Sequence, residues 1–426
     1  MLQAGMPTYD GYRDCEAEWL DQIPHSWNSK RLKFVVRIMK RIAGKEGPNV
    51  LSITQNGIKI KDIESGEGQL AMDYSKYQIV NRGDFAMNHM DLVTGYVDIS
   101  PYDGVTSPDY RVFNNFNPAI RDSYLLLLCQ LGYHSKIFFR YGQGVSFLGR
   151  WRFPAENFNN FVIPVPSLVE QDAIVRFVTE KSAKIIEAIA IKERQIALLK
   201  EHKQILIQQA VTKGLNPNAP MKDSGVDWIG EIPAHWERLA HKHVFRLKKV
   251  LVGKRSSEYD LLSLTLRGII KRDMENPEGK FPAEFDTYQE VAPGDFVFCH
   301  FDVEETPRTV GLSAYAGMIT GAYTVYRPQP NCDPRYLLHF HIFSDTGKKF
   351  RSLYKGLRNT ISKDVFGAFK MPMPPRDEQE AIVAHIDRES GKIDALIGIK
   401  QSEIAALGEY KITLINSAVT GKIKVA

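Results

Sequence analysis

The sequence predicts an α+β protein built twice over: two globular domains of mixed strands and helices, each followed by a long helix that carries a coiled-coil seam. Three observations predict it. First, the stretch from Glu170-Gln171-Asp172-Ala173-Ile174 to Ala210-Val211-Thr212-Lys213-Gly214 contains no proline or glycine before Gly214. With Ile185 at position d of a heptad, Ile189 and Ile196 fall at a, Leu199 and Leu206 at d, and Ala210 at a. Lys192 and Lys203 interrupt this seam at d and a. Second, the design returns 208 residues later, counted from Glu170 to Glu378, and runs from Glu378-Gln379-Glu380-Ala381-Ile382 to Ala418-Val419-Thr420-Gly421. Its seam reads Ile393, Ile397, Lys400, Ile404, Leu407, Lys411, Leu414, Ala418, so the two lysines recur in register. Third, Trp19-Leu20-Asp21-Gln22-Ile23-Pro24-His25-Ser26-Trp27 is echoed by Trp228-Ile229-Gly230-Glu231-Ile232-Pro233-Ala234-His235-Trp236. Self-similarity of this extent marks an internal duplication.

Bulk properties bound the rest. A chain of 426 residues has room for about two to four domains. With 43% hydrophobic and 25% charged residues it can build ordinary globular cores. Cys15, Cys129, Cys299 and Cys332 are scattered with no C-x-x-C pair, which argues against a disulfide framework or a zinc site. There is no 18-residue apolar run and no signal-peptide pattern at Met1-Leu2-Gln3-Ala4-Gly5, so a cytoplasmic location without a membrane partner is expected. A net charge of +5 permits a nucleic-acid partner without requiring one.

Taken in order, residues 1–18 read as a loose polar arm. The I-P-x-x-W entry is an extended segment pinned by its tryptophans. Behind it, Lys30, Arg31, Lys33, Arg37, Lys40, Arg41 and Lys45 form a basic run with no acid inside it. The second copy has Arg238, Lys242, Arg246, Lys248, Lys249, Lys254 and Arg255. The middles read as short strands and turns: Leu51-Ser52-Ile53-Thr54, Tyr77-Gln78-Ile79-Val80 and Phe138-Phe139 as strands, Asn56-Gly57 and Arg82-Gly83-Asp84 as turns. Gly83-Asp84-Phe85 matches Gly294-Asp295-Phe296, and Gly104…Tyr110 matches Gly317…Tyr323, but the middles otherwise diverge. Each half closes with a proline-bearing segment, Phe158-Asn159-Asn160-Phe161-Val162-Ile163-Pro164-Val165-Pro166 and Phe366-Gly367-Ala368-Phe369-Lys370-Met371-Pro372-Met373-Pro374. Gly214 to Gly225 is a linker by composition. Alike ends and unlike middles imply one scaffold carrying two specificities.

The paired motifs — I-P-x-x-W entry, F-x-x-F-x-[IM]-P-x-P exit, E-Q-x-A-I helix start and A-V-T helix end — cover residues 19–424 and resemble the specificity subunit of a Type I restriction–modification system. The departure is Ser167, where a second proline is usual. The resemblance implies target recognition domains at 1–168 and 227–376, long helices at 169–214 and 377–426 with the tail, and a linker at 215–226. It implies that the helices pair as an antiparallel coiled coil, in a pseudo-twofold repeat, and dock two adenine methyltransferase subunits, to which restriction subunits add. Double-stranded DNA is then the ligand, read as a bipartite and asymmetric site. The partners would use S-adenosylmethionine, ATP and Mg²⁺, with no cofactor or metal in this chain. A helix from Ile174 to Thr212 would span roughly 58 Å, against about 34–36 Å for a turn of B-DNA.

Among site candidates, Ile185, Ile189, Ile196, Leu199, Leu206, Ile393, Ile397, Ile404, Leu407 and Leu414 are assigned to helix pairing. The seam lysines Lys192, Lys203, Lys400 and Lys411 either snorkel and set orientation or touch a partner. The first basic run is read as phosphate-neutralising, with a solvated face as the alternative. Lys248, Lys249, Lys254 and Arg255 are the candidates in the second run. Arg150 and Arg358 fall in the same register across the copies and suit either a carboxylate or the DNA backbone. Arg152 and Asn359 offer donors of the kind that read base edges. Lys348, Lys349, Arg351 and Lys355 form a further basic cluster, for which solvation is an equal account.

Catalysis is not expected in this chain. Gly253-Lys254-Arg255 and Gly44-Lys45-Glu46 lack the rest of a P-loop. The N/D-P-P-Y/F tetrapeptide is absent, since the only Pro-Pro pair, Pro374-Pro375, follows Met373. Pro108-Asp109 has its nearest E-x-K inside the long helix. His241/His243 and His339/His341 are expected on strands or surfaces. The competing function is a coiled-coil adaptor whose domains bind proteins. Without its methyltransferase the lone chain is expected to be poorly soluble if Ile186, Ile191 and Ile399 are exposed.

Overall fold

A computed structural model describes residues 6–45, 47–64, 71, 73–144, 151–273 and 284–425. Four helices organise it: α1 (Asp122–His134), α2 (Leu168–Lys213), α3 (Pro334–Thr346) and α4 (Arg376–Val419). The long ones, α2 and α4, have 46 and 44 residues. Ser167 starts α2 through a capping box: its hydroxyl donates to Glu170 at 2.9 Å while the Glu170 amide donates back to it at 3.3 Å. The serine in place of proline is therefore a helix cap. Gly214 and Gly421 follow the two helix ends with φ of +71° and +74°, the left-handed cap for which glycine is suited. The chain divides into two compact units, one of residues up to 192 together with those from 401, the other of residues 193–400.

In the first unit a four-stranded antiparallel sheet forms from β1 (Val36–Met39), β2 (Phe85–Met87), β3 (Val97–Ile99) and β4 (Arg111–Asn115), in the order β1-β4-β2-β3. Phe113 faces Ile38 on one side and Phe85 on the other, and stacks on Phe85 with centroids 4.9 Å apart. Helix α1 buries Tyr124, Leu125, Leu128, Cys129 and Leu131. Trp19 stacks on Phe161 at 5.4 Å, which pins the entry segment to the exit segment. The arm expected to be loose is tied down from residue 6 onward. Tyr12–Asp14 pairs with Gln22–Pro24, and the Lys424 amide donates to the Pro7 carbonyl at 2.7 Å.

Phe138-Phe139, expected as a strand, lies instead in one helical turn, Ile137–Arg140. Lys136 turns the chain with φ +52°, and the ring of Phe138 then drops onto Gly132 of α1, where a Cβ would come within 2.4 Å of it. The aromatic pair encodes packing on the preceding helix rather than alternation across a sheet.

The second unit repeats the sheet with β5 (Phe245–Lys248), β6 (Phe296–Phe298), β7 (Val310–Leu312) and β8 (Thr324–Pro328), in the matching order β5-β8-β6-β7. Trp228 stacks on Phe369 as Trp19 does on Phe161. The end of the compositional linker is a strand, Met221–Asp223, paired with Glu231–Pro233. The duplication read in the motifs thus extends through the divergent middles, because backbone pairing and buried aromatics tolerate substitutions that erase sequence identity.

His241 and His341 depart from expectation, whereas His243 is exposed as expected. His241 sits in a one-turn helix and His341 on α3, which Asp333 caps ahead of Pro334; both are buried. Spacing of two residues suggested alternation, but the cap and proline start a helix. Their Nε2 atoms lie 3.3 Å apart, and His300 stacks on Phe298 in the same aromatic core. Burial pushes His341 and His300 down to about 4, and holds His241 well below its usual value with help from His341. All three are neutral in the fold, whereas in an unfolded chain they take up protons below about pH 6.5. Stability of this unit is therefore complete above that pH and falls as pH drops toward 4. Thermal melts should show a lower midpoint at pH 5 than at pH 7.5. The double variant His241→Leu/His341→Cys, which imports Leu32 and Cys129 from the matching positions of the first unit, should flatten that dependence. An unchanged pH profile would mean the pair is not its source.

Candidate helix-pairing and nucleic-acid sites

Each unit contains the end of the long helix that begins in the other. In the first unit, Ala418 and Val419 of α4 lie in the core beside Ile174 and Val178 of α2. The hydroxyl of buried Tyr124 bonds to the carbonyls of Val419 at 3.2 Å and Pro164 at 3.3 Å. In the second, Ala210 and Val211 of α2 lie beside Ile382 and Ile386 of α4, and Tyr336 bonds to Val211 at 3.3 Å and Pro372 at 3.1 Å. The repeated glutamine of E-Q-x-A-I completes each joint. Gln171 accepts from the Arg121 amide at 2.8 Å and donates to Pro166, while Gln379 accepts from the Asp333 amide at 2.7 Å and donates to Pro374. The side chain fastens the start of the long helix to the start of the shorter one.

Within each unit the two long-helix segments run antiparallel. Ile185, Ile393 and Leu414 are buried, and Ile189, Ile196, Leu199, Leu206, Ile397, Ile404 and Leu407 are partly buried. Lys192 pairs with Glu403 and Lys203 with Asp394, each at 2.7 Å. The seam lysines thus cross to acids on the facing helix. Lys411, the repeat of Lys203, is different, because the repeat of Asp394 is Ile186. Among the described residues no carboxylate lies at ion-pair distance from Lys411, which borders a cavity of about 360 Å³ with His134, Val178, Ile186 and Ile412. Burial lowers the His134 pKa, and Lys411 adds to the effect.

The basic candidates separate by partner. The carboxylate of each G-D-F turn holds a cation of the neighbouring basic run: Asp84 holds Arg41, and Asp295 holds Lys248 at 2.9 Å. Lys348 pairs with Asp345 at 2.9 Å, Arg351 with Glu304 at 3.0 Å, and Arg358 with Asp302 at 3.0 Å; Asn359 donates to Glu305 at 3.0 Å. Lys30, Arg31, Lys33, Arg37, Lys40, Lys45, Arg152, Lys249, Lys254, Arg255, Lys349 and Lys355 have no ion pair among the described residues. Lys349 lies 4.9 Å over the Phe343 ring and Arg255 5.8 Å over Tyr259. Arg150 lies outside the described residues. Lys30 and Arg31 sit on the strand Asn28–Arg31 that pairs with Val162–Val165, and Arg37 lies on β1. Sequence reasoning passed over Phe34 and Phe116, exposed rings that carry Lys33 at 5.2 Å and Arg37 at 5.6 Å. The interleaved phenylalanine in the basic run was the available signal.

No family profile matches the chain. A Methanocaldococcus jannaschii protein named as the MjaX type I restriction enzyme specificity subunit is 22% identical over 439 residues, covering 95% of this chain and 96% of that one. The MjaVIII type I restriction enzyme specificity subunit of the same organism is 24% identical over 290 residues, 63% of each chain. A solved chain from work on complex assembly and conformational transition of the type I restriction–modification system superposes with a TM-score of 0.60, covering 93% of this chain and 98% of that one at 16% identity.

The chain is a type I specificity-subunit homologue. Its fold is the one those motifs implied, two domains in pseudo-repeat with paired long helices. Among the described residues of this specificity-subunit homologue, no group of three or more His, Cys, Asp or Glu side chains is placed to hold a metal ion, and no helix is long and apolar enough to cross a membrane.

The Lys411 contrast gives a direct measurement. Ile186→Asp recreates at the first unit the pair that Lys203 and Asp394 make in the second. A double-mutant cycle with Lys411→Met should return a favourable coupling of about 0.2–1 kcal/mol, the range for a partly exposed pair. Zero coupling would show that the repeat does not carry the helix faces in register.

Proposed function

We propose that this specificity-subunit homologue is a non-catalytic, sequence-specific DNA-binding subunit that reads a bipartite, asymmetric duplex site and docks adenine methyltransferase and restriction subunits. The observation that carries the reading is the pairing of one fold, repeated element by element, with two different sets of surface residues. A repeat of that kind has one way of approaching a duplex and two sequences to read. Lys30, Arg31, Lys33, Arg37, Lys40 and Lys45, without an ion pair among the described residues, suit phosphate contacts, and the rings of Phe34 and Phe116 beside them hold two of those cations in place. Candidates held by carboxylates, such as Lys248, Arg351 and Arg358, suit positioning of their own loops better than phosphate neutralisation.

Exposed apolar residues on the long helices support the docking of partners. Ile186, Ile191, Leu198 and Ile205 of α2 and Leu396 and Ile399 of α4 are each between 44% and 54% exposed, an apolar surface suited to a second protein. The partners, working in the cytoplasm, would bring S-adenosylmethionine, ATP and Mg²⁺ to sites of their own.

The test is single-molecule sequencing of DNA from cells expressing this chain with its methyltransferase. A split, asymmetric motif bearing N6-methyladenine is the expected result. No motif from an assembled complex would favour the protein-binding adaptor instead. On that motif, Lys33→Ala and Arg37→Ala should each weaken binding alike across sequences and lower the slope of log affinity against log salt by about 1. An unchanged slope would take those two residues out of the interface.

A further inference from the structure

The hairpin around Leu357 in the second unit holds one apolar side chain out into solvent. Lys355 and Thr360 pair across it with backbone hydrogen bonds of 2.9 and 3.0 Å. Gly356 (φ +72°) and Asn359 (φ +43°) turn the chain. Leu357 is 104% exposed, against 76% for Val169, the next most exposed large apolar residue described. An isolated exposed leucine is ordinary on a mobile surface. This one is not on a loose loop.

Its flanks are pinned to the segment that begins at Phe301. Arg358 donates to Asp302 at 3.0 Å and lies 5.1 Å over the Phe301 ring. Asn359 donates to Glu305 at 3.0 Å, and the Asp302 amide donates to the Arg358 carbonyl at 2.7 Å. Asp302 is itself left-handed, with φ +47°. Two non-glycine residues in that region, facing each other, persist where their surroundings over-determine them. The fold thus maintains a strained, rigid mount whose tip stands clear of the other described residues.

With the neighbouring guanidinium and amide engaged, the tip's free chemistry is apolar. Rigid presentation lowers the ordering cost of binding. We infer that Leu357 seats against the 5-methyl group of a thymine in the major groove, within the part of the site read by the second unit; this rests on the DNA-binding reading above. The thymine methyl is the one apolar group that base edges offer in that groove. Around the mount Asp302 and Glu304 are neutralised by Arg358 and Arg351, and Lys355, two residues before Leu357, has no ion pair among the described residues. A major groove about 12 Å wide admits the hairpin tip, and a minor groove about 6 Å wide presents no thymine methyl.

The test uses the full chain, fluorescence anisotropy, and the duplex defined by methylation sequencing. Each thymine of the half-site assigned to the second unit is replaced in turn by uracil, which removes only the methyl group. One uracil should weaken wild-type binding about fourfold, the worth of one buried methyl. Leu357→Ala should weaken binding at least as much, keep the wild-type melting temperature, and ignore that same uracil. Wild-type binding indifferent to every uracil, or a Leu357→Ala variant that binds like wild type, overturns this inference and leaves DNA reading intact. A chain with no sequence-specific binding at all overturns the DNA-binding reading, and this inference with it.

Discussion

The rest of the structure depends on where the long helices end. Val419 and Val211 are fully buried, each in the unit whose sheet comes from the other half of the chain. A buried tyrosine hydroxyl bridges each helix-end carbonyl to the carbonyl before the exit segment's last prolines. One such hydrogen bond contributes about 1 kcal/mol, and removing the hydroxyl would leave two buried acceptors poorly satisfied. Burial of the valine adds roughly 1.5–3 kcal/mol by apolar transfer. These joints make each unit a composite of both halves, and they fix which helix segments meet along the seam.

The joints were visible in the sequence only as fragments. The E-Q-x-A-I start, the paired prolines and the A-V-T end repeat because Gln171/Gln379, Pro164/Pro372 and Val211/Val419 make the same contacts twice. The heptad seam was legible because its period is local. That each A-V-T end enters the other half's core was not legible, since it links residues such as Tyr124 and Val419 with no pattern between them. Short elements were misread for a related reason. Phe138 and His341 owe their positions to what they pack on, Gly132 and an aromatic core, rather than to spacing.

Charge was legible as composition but not as chemistry. The basic run from Lys30 to Lys45 has no acid inside it, yet Arg41 is neutralised by Asp84, which the sheet brings in from a distant turn. Arg358 stood out by its register, with a carboxylate or the DNA backbone as its partner, and Asn359 as a donor; their acceptors are the carboxylates of Asp302 and Glu305. Such pairings separate cations that build a surface from cations left to act on a ligand. They also put weight on residues a charge count overlooks, among them Phe34, Phe116 and Leu357.

The composite units have a consequence for how this chain is made. A ribosome emits residues in order at about 5–20 per second. The second unit draws on residues 193–400 and can close before the residues from 401 onward have emerged. The first unit needs residues from 401 onward, so its apolar core around Tyr124 stays open until those residues have emerged. The domain synthesised first is the last to fold. A premature stop anywhere before Val419 leaves it without its final strut, so the proteolytic machinery of the cell would see truncation as an exposed N-terminal core.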